Sequence, residues 1–235
     1  MSSGASYDPV ASLYDSYWGQ RFFEFAREAF HDHLGAKLPA GGAVLDLCCG
    51  TGLLLAHAEG LGFDVSGVDE SANMLAVARR NAPRAHLQQA DMAGFTLNQQ
   101  FDAVVWFYNS LNHARSVEHM RATVVNIAQH LKPGGHLLFD YVLPKAFEDV
   151  WEWSEQIDGW MFRYTYDGSS GQATCLINQS GAIRQMSFQP RQIHEAVSDA
   201  GMTIVYEEPM TGAAPIGARQ LVLANRQSVP PGIEQ

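Results

Sequence analysis

With 235 residues the chain is long enough for one α/β domain with an embellishment and, at roughly 70–75% burial of its unfolded surface, for a sizeable core. Its 46% hydrophobic content is broken into short runs, none near the roughly 18 uninterrupted apolar residues of a membrane span, so no transmembrane segment is expected. A formal charge of −10 and no basic run longer than Arg79-Arg80 argue against DNA, RNA and anionic membranes as partners.

Met1 to Ser6 carries neither basic residues nor an apolar core, so it does not read as a secretory signal, and a cytoplasmic protein is expected. Tyr7 to Trp18 is short and aromatic. It precedes a better helix through Phe22, Phe23, Ala26, Ala29, Phe30 and Leu34, whose apolar positions recur at helical spacing. Val44-Leu45-Asp46-Leu47 then reads as a buried parallel strand that breaks on Gly50-Thr51-Gly52, and Leu53 to Glu59 as the start of a helix. A strand, glycine loop and helix in this order bind a nucleoside. The G-x-G-x-x-G of a dinucleotide site is absent, since Leu55 stands three residues past Gly52. Asp46 stands where a pyrophosphate would bind; its carboxylate repels phosphates and suits a ligand bearing an ammonium group.

This stretch, Asp46 to Gly52, resembles motif I (D-x-x-x-G-T-G) of the class I, Rossmann-like methyltransferases. The resemblance implies S-adenosylmethionine as cofactor, leaving as S-adenosylhomocysteine. Cys48-Cys49 departs from the usual single cysteine, without consequence expected in a strand end. The three cysteines, odd in number, are expected to be reduced thiols, and the nine histidines show no ligand spacing, so no metal is expected.

Further along, Phe63 to Val68 reads as the second strand, closed by Asp69, an acid about twenty residues past the glycine turn and placed to accept from ribose hydroxyls. Ser71 caps a helix from Ala72 to Asn81 that carries Met74. A third strand, Ala85 to Ala90, ends at Asp91-Met92, which resembles the family's adenine-binding step. Phe101 to Phe107 is a fourth strand leading into Tyr108-Asn109-Ser110-Leu111-Asn112-His113, where the transferred methyl should lie. A helix from Val117 to Leu131 stops at Lys132-Pro133-Gly134-Gly135, a turn shared with the family, before a fifth strand from His136 to Tyr141.

From Pro144 the pattern changes. Period-two alternation stacks Trp160, Phe162, Tyr164 and Tyr166 on one face of an inserted antiparallel sheet, expected to cap the substrate, meet a second subunit, or pack internally. A helix from Pro190 to Ala200 and strands Met202 to Glu208 and Ala218 to Ala224 close the chain. The expected organisation is an N-terminal lid and helix (1–42), a Rossmann-like domain with a seven-stranded, mostly parallel sheet (43–143 and 187–225), the insert (144–186), and a disordered tail (226–235).

Within the superfamily, Tyr14-Asp15 and Asn109 to His113 resemble small-molecule N-methyltransferases of the glycine and amino-sugar groups. The resemblance implies methyl transfer to a nitrogen of a small molecule by a monomer or homodimer. O-methylation, and a nucleoside-binding module without catalysis, are the competing readings. It further implies cofactor contacts from Tyr14, Trp18, Asp46, Cys48, Gly50, Thr51, Gly52, Asp69, Glu70, Met74, Asp91, Met92 and Phe107, with the N-terminal aromatics either closing as a lid or simply packing. A sulfonium methyl needs chiefly alignment, worth roughly 7–11 kcal/mol, aided by aromatic groups that stabilise its charge. His113 is the expected base or substrate-orienting group, helped by Asn109 and Tyr17, the alternative being a plain hydrogen bond to a carbonyl.

Overall fold

The computed structural model describes residues 7–150, 152–178, 181–210 and 219–228. Met1 to Ser6, Ala218 and most of the expected tail therefore lie outside the described residues. The chain opens with nearly continuous helix: a 3-10 turn (Asp8–Val10), α1 (Ala11–Tyr14), a π turn (Asp15–Gly19), α2 (Gln20–Phe30) and a second π turn (His31–Gly35). There follow β1 (Ala43–Leu47), α3 (Leu53–Gly60), β2 (Asp64–Asp69), α4 (Ala72–Asn81), β3 (His86–Gln89), β4 (Phe101–Trp106), a 3-10 turn (Ser110–His113), α5 (Val117–His130) and β5 (Leu131–Val142). After α6 (Pro144–Val150) come β6 (Trp153–Ile157), β7 (Trp160–Asp167), β8 (Gln172–Ile177) and β9 (Gly181–Met186), then α7 (Pro190–Asp199), β10 (Met202–Met210) and β11 (Arg219–Arg226).

The main sheet has the order β10-β11-β5-β4-β1-β2-β3. Its β1, β2, β3, β4 and β5 pairings are parallel, whereas β11 runs antiparallel to both β5 and β10. Strand order reverses between β1 and β4, and an open α/β sheet binds its ligand beyond the strand ends at such a point. Each sheet face carries its own core. Leu45, Trp106, Phe139 and Ile127 pack on one, and Val44, Leu55, Phe30 and Val105 on the other. Each such burial contributes about 1.5–3 kcal/mol. Val44 and Asp46 have the same parity in β1, so the strand delivers the carboxylate toward the face covered by α2 and α3.

One expectation is corrected. The helix ends at His130, not Leu131, because Leu131 turns extended (ψ 142°), pairs with Phe101 and is fully buried. Lys132 to Gly135 is consequently an irregular arm of β5, not a free turn. Gly134 there has φ +77°, and a Cβ on Gly135 would stand 2.9 Å from the Lys132 carbonyl. The aromatic face of β7 is occupied by the same chain: Phe162 and Tyr164 pack with Val10, Leu13 and Trp18, and Tyr166 stacks on Phe147. The four-stranded sheet β6-β7-β8-β9 thus clasps the N-terminal segment over the strand ends.

Candidate active site

The loop after β1 adopts left-handed backbone at alternate positions, Cys48 (φ +59°), Gly50 (φ +53°) and Gly52 (φ +77°). Glycine is required at position 52, where a Cβ would meet Ala78 at 3.0 Å. The doubled cysteine is accommodated by a missing side chain opposite: a Cβ on Gly67 would lie 2.9 Å from the Cys49 sulfur.

This loop bounds a cavity of about 540 Å³. Five acidic residues line it, and two of them, Asp46 and Asp69, sit at the ends of adjacent strands. Asp46 is 6% exposed, has no hydrogen-bond partner among the described residues, and is pushed above the usual carboxylate range by burial and then by the neighbouring Asp69 charge. Asp69 accepts from the Gly50 and Ser71 amides, both at 2.9 Å; burial outweighs these bonds and pushes it up to about 6. Buried acceptors in this state require a ligand that brings donors. Met74 and Met92 supply polarisable walls. Asp91 lines the same cavity, yet its oxygens accept from the Ala93 amide and His119 Nε2, each at 2.8 Å, and from Arg115.

The N-terminal segment forms the roof and is fastened to α4. The Asp8 carboxylate accepts from Ser71 Oγ, the hydroxyl that caps α4 at the Met74 amide, and Asn73 donates to the Asp8 carbonyl at 3.0 Å. Asn81 donates to Asp15 at 3.1 Å and to the Thr51 carbonyl at 2.9 Å, tying roof, helix and glycine loop together.

Beyond Tyr7, Tyr14 and Tyr108, which line both spaces, a smaller slot opens under β7, β8 and β9. Tyr108 (φ +65°) and Asn109 (φ +52°) are consecutive left-handed residues, a strained turn costing on the order of 1–3 kcal/mol per residue. Asp140 enforces it. This fully buried carboxylate accepts the Asn109 amide at 3.1 Å and pairs at 3.2 Å with Arg219, whose other nitrogen donates to Asn109 Oδ1 at 2.8 Å.

His113 stands between the two spaces. Its Nδ1 lies 3.1 Å from the Arg184 carbonyl, which only accepts, so Nδ1 carries the proton. Its Nε2 lone pair is then shared by the Tyr7 hydroxyl and the Gln185 amide nitrogen, both at 3.1 Å. Burial pushes the imidazole down to about 4.

Of the expected residues, Tyr14, Asp46, Cys48, Gly50, Thr51, Asp69, Glu70, Met74, Asp91, Met92 and His113 line the cofactor-sized cavity. Trp18 and Asn109 line the slot instead, Trp18 because its ring stands edge-on to Phe162 at 4.9 Å. Three residues line neither space. Tyr17 points outward at 36% exposure against Trp18, Phe107 is turned into the core against Phe25, and Gly52 caps α3 behind the wall. Sequence reasoning missed Asp8, Gln185 and Arg219. An Asp-Pro helix start flags Asp8 weakly, whereas the other two are ordinary strand residues whose roles come only from folding.

Residues 44–135 match a family described as a methyltransferase domain. The chain is 30% identical over 194 residues to the dTDP-3-amino-3,4,6-trideoxy-alpha-D-glucopyranose N,N-dimethyltransferase of Streptomyces venezuelae, covering 81% of this chain and 77% of that one. It is 35% identical over 130 residues to the dTDP-3-amino-3,6-dideoxy-alpha-D-glucopyranose N,N-dimethyltransferase of Streptomyces fradiae, over 54% of this chain and 50% of that one. Among solved structures it resembles CalS10, an amino pentose methyltransferase from Micromonospora echinaspora with S-adenosylmethionine bound (TM-score 0.73, 26% identity, 92% of this chain, 97% of that chain). The donor-seeking carboxylates at the mouth of a glycine loop fit this cofactor's ammonium and ribose. The chain therefore belongs to the class I S-adenosylmethionine-dependent methyltransferases, among those that place the methyl group on a nitrogen of a small molecule.

Proposed function

We propose that the acceptor is an amino group carried on a sugar, seated in the slot behind Tyr7, Tyr14 and Tyr108. The observation that carries this reading is the continuity of that slot with the cofactor cavity across three aromatic rings. The relatives whose names specify nucleotide-linked amino sugars support the substrate class. In the cofactor cavity Asp46 receives the ammonium end, Asp69 the ribose hydroxyls, and Met74 and Met92 flank the adenine. One lone pair of the Asp91 carboxylate is left for the adenine amine. Glu70 and Cys48 complete the wall.

The sulfonium supplies an activated methyl group. The amine nitrogen forms its bond to the methyl carbon as the carbon–sulfur bond breaks, sulfur keeps the electron pair as a neutral thioether, and the nitrogen sheds its extra proton to solvent. What the chain contributes is alignment and exclusion of water. Tyr7, Tyr14 and Tyr108 face the passing positive charge, each such contact worth about 0.5–2 kcal/mol. His113 fits the orienting role, because its lone pair is already held by two donors and its imidazole resists protonation. Asn109 acts by holding Arg219 and Asp140. The enzyme is read as cytoplasmic, monomeric or homodimeric, and without nucleic-acid partners.

Incubation with labelled S-adenosylmethionine and a panel of a dTDP-linked 3-amino-6-deoxyhexose, glycine and a catechol tests the reading. Label on the sugar nitrogen is expected; label on glycine or catechol with none on the sugar overturns it. For His113→Asn, a fall in kcat with an unchanged pH profile fits orientation. An acid-side break in the native enzyme, near the depressed value of about 4, that vanishes in the variant reassigns it as a base.

A further inference from the structure

Residues on the slot's wall carry polar atoms that the described residues leave without partners. Tyr108 Oη, Gln185 Oε1 and Arg219 Nε are all shielded from solvent and all belong to residues on the slot's wall. Gln185 is 7% exposed and Arg219 3%. Unpaired buried polar atoms cost stability, and native structures hold few of them. Three around one small space point to an occupant that completes them. Their chemistry is specific. Gln185 Oε1 only accepts, and its orientation follows from the amide nitrogen facing the His113 lone pair. Arg219 Nε only donates, while its two terminal nitrogens donate one bond each to Asp140 and Asn109. A tyrosine hydroxyl does either.

Position orders these demands. Gln185 touches His113, which lines the cofactor cavity, so Gln185 Oε1 belongs to the end nearer the methyl group. Arg219 is anchored to Asp140 and Asn109 beneath the Phe22 ring on the main sheet, whereas Gln185 belongs to the inserted sheet, so the two face an occupant from different walls. Tyr108 lines both spaces.

We infer that the acceptor is an amino alcohol whose hydroxyl sits on the carbon next to the amine: Gln185 Oε1 takes an amine N–H, Arg219 Nε donates to the neighbouring oxygen, and that hydroxyl's proton goes to Tyr108 Oη. This rests on the reading of the slot as the acceptor site and narrows the sugar to one with a free hydroxyl beside the nitrogen. Holding an N–H at Gln185 turns the nitrogen lone pair away from the amide oxygen, leaving it free for the methyl carbon. The contact is available to a primary and to a secondary amine, so two successive transfers can use the same seat.

The test compares two acceptors with the native enzyme, a dTDP-linked 3-amino-3,4,6-trideoxyhexose, whose one hydroxyl beside the amine is on C2, and its 2-deoxy analogue, which lacks that hydroxyl. A site built around that hydroxyl should favour the first in kcat/KM by about 10²-fold or more, because the analogue leaves two buried groups unpaired. Tyr108→Phe should cut this preference at least about tenfold while the variant stays folded by circular dichroism. Gln185→Met should slow both acceptors alike and leave the preference intact. Equal turnover of the two acceptors by the native enzyme overturns the inference while sparing the sugar-amine reading. Turnover of neither, with glycine or another amine accepted, removes both.

Discussion

The two ligand spaces are built in opposite ways. The cofactor cavity is made of neighbouring strand ends, in which Asp46 and Asp69 lie at the ends of strands, Gly50 and Asp91 follow strands, Met74 lies in the first turn of a helix, and all need only the sheet order to converge. The slot is made of residues from the two ends of the chain, with Tyr7 and Trp18 meeting Tyr108, Phe162, Gln185 and Arg219. One relies on buried carboxylates and backbone turns, the other on aromatic walls around a buried ion pair. The cavity's chemistry is therefore local in sequence. The slot's chemistry is long-range.

Breaking the slot's ion pair should have the largest effect. Arg219→Met strands the fully buried Asp140 carboxylate and is expected to cost about 3–5 kcal/mol of stability in urea unfolding. The double variant Asp140→Leu, Arg219→Met should recover much of that loss; a double variant as unstable as the single one would show the pair acting through the Asn109 turn instead. In the cavity a single carboxylate should matter for affinity more than for folding. Asp69→Ala is expected to weaken S-adenosylhomocysteine binding by about 1.5–3 kcal/mol, roughly 10- to 150-fold by calorimetry.

The same carboxylate gives the cavity a pH dependence that the slot lacks. Asp69 sits near 6, above the ordinary carboxylate range. In the free protein its contribution to stability is present at acid pH and lost as pH rises through about 6. Ligand donors require the ionised oxygen, so affinity runs the other way: the dissociation constant of S-adenosylhomocysteine should rise about tenfold per pH unit below about 6, with a proton released on binding. A flat profile between pH 5 and 7 would detach Asp69 from the ribose. The smallest effect belongs to Tyr17, which lines neither space; Tyr17→Phe should change stability by less than about 0.5 kcal/mol and leave kcat/KM within about twofold.

This contrast also explains what could be read from the chain. The strand, glycine loop and helix at Val44 to Glu59, the acid at Asp69 and the Ser71 cap are local patterns with local causes, and the structure reproduces them. Leu131 was not legible as strand because its extension depends on pairing with Phe101, thirty residues away. Phe107 was legible as the end of a buried apolar run but not as turned away from the cavity, since strand alternation breaks at the left-handed Tyr108 and Asn109, which the distant Asp140 and Arg219 help to stabilise. Gln185 on β9 carries no signal in sequence beyond a polar residue in a strand.

The hydrogen bonds from Asp8 and Asp15 to α4 have a kinetic meaning. They fasten the roof to the helix that carries Met74, so widening the cavity on this side means undoing a short stretch at the N-terminus while the sheet stays intact. Such an opening is a local unfolding event governed by a handful of bonds, and its free energy is separable from the stability of the domain. If the ligand passes on this side, Asp8→Ala and Asp15→Ala should quicken its release without lowering the unfolding midpoint of the sheet.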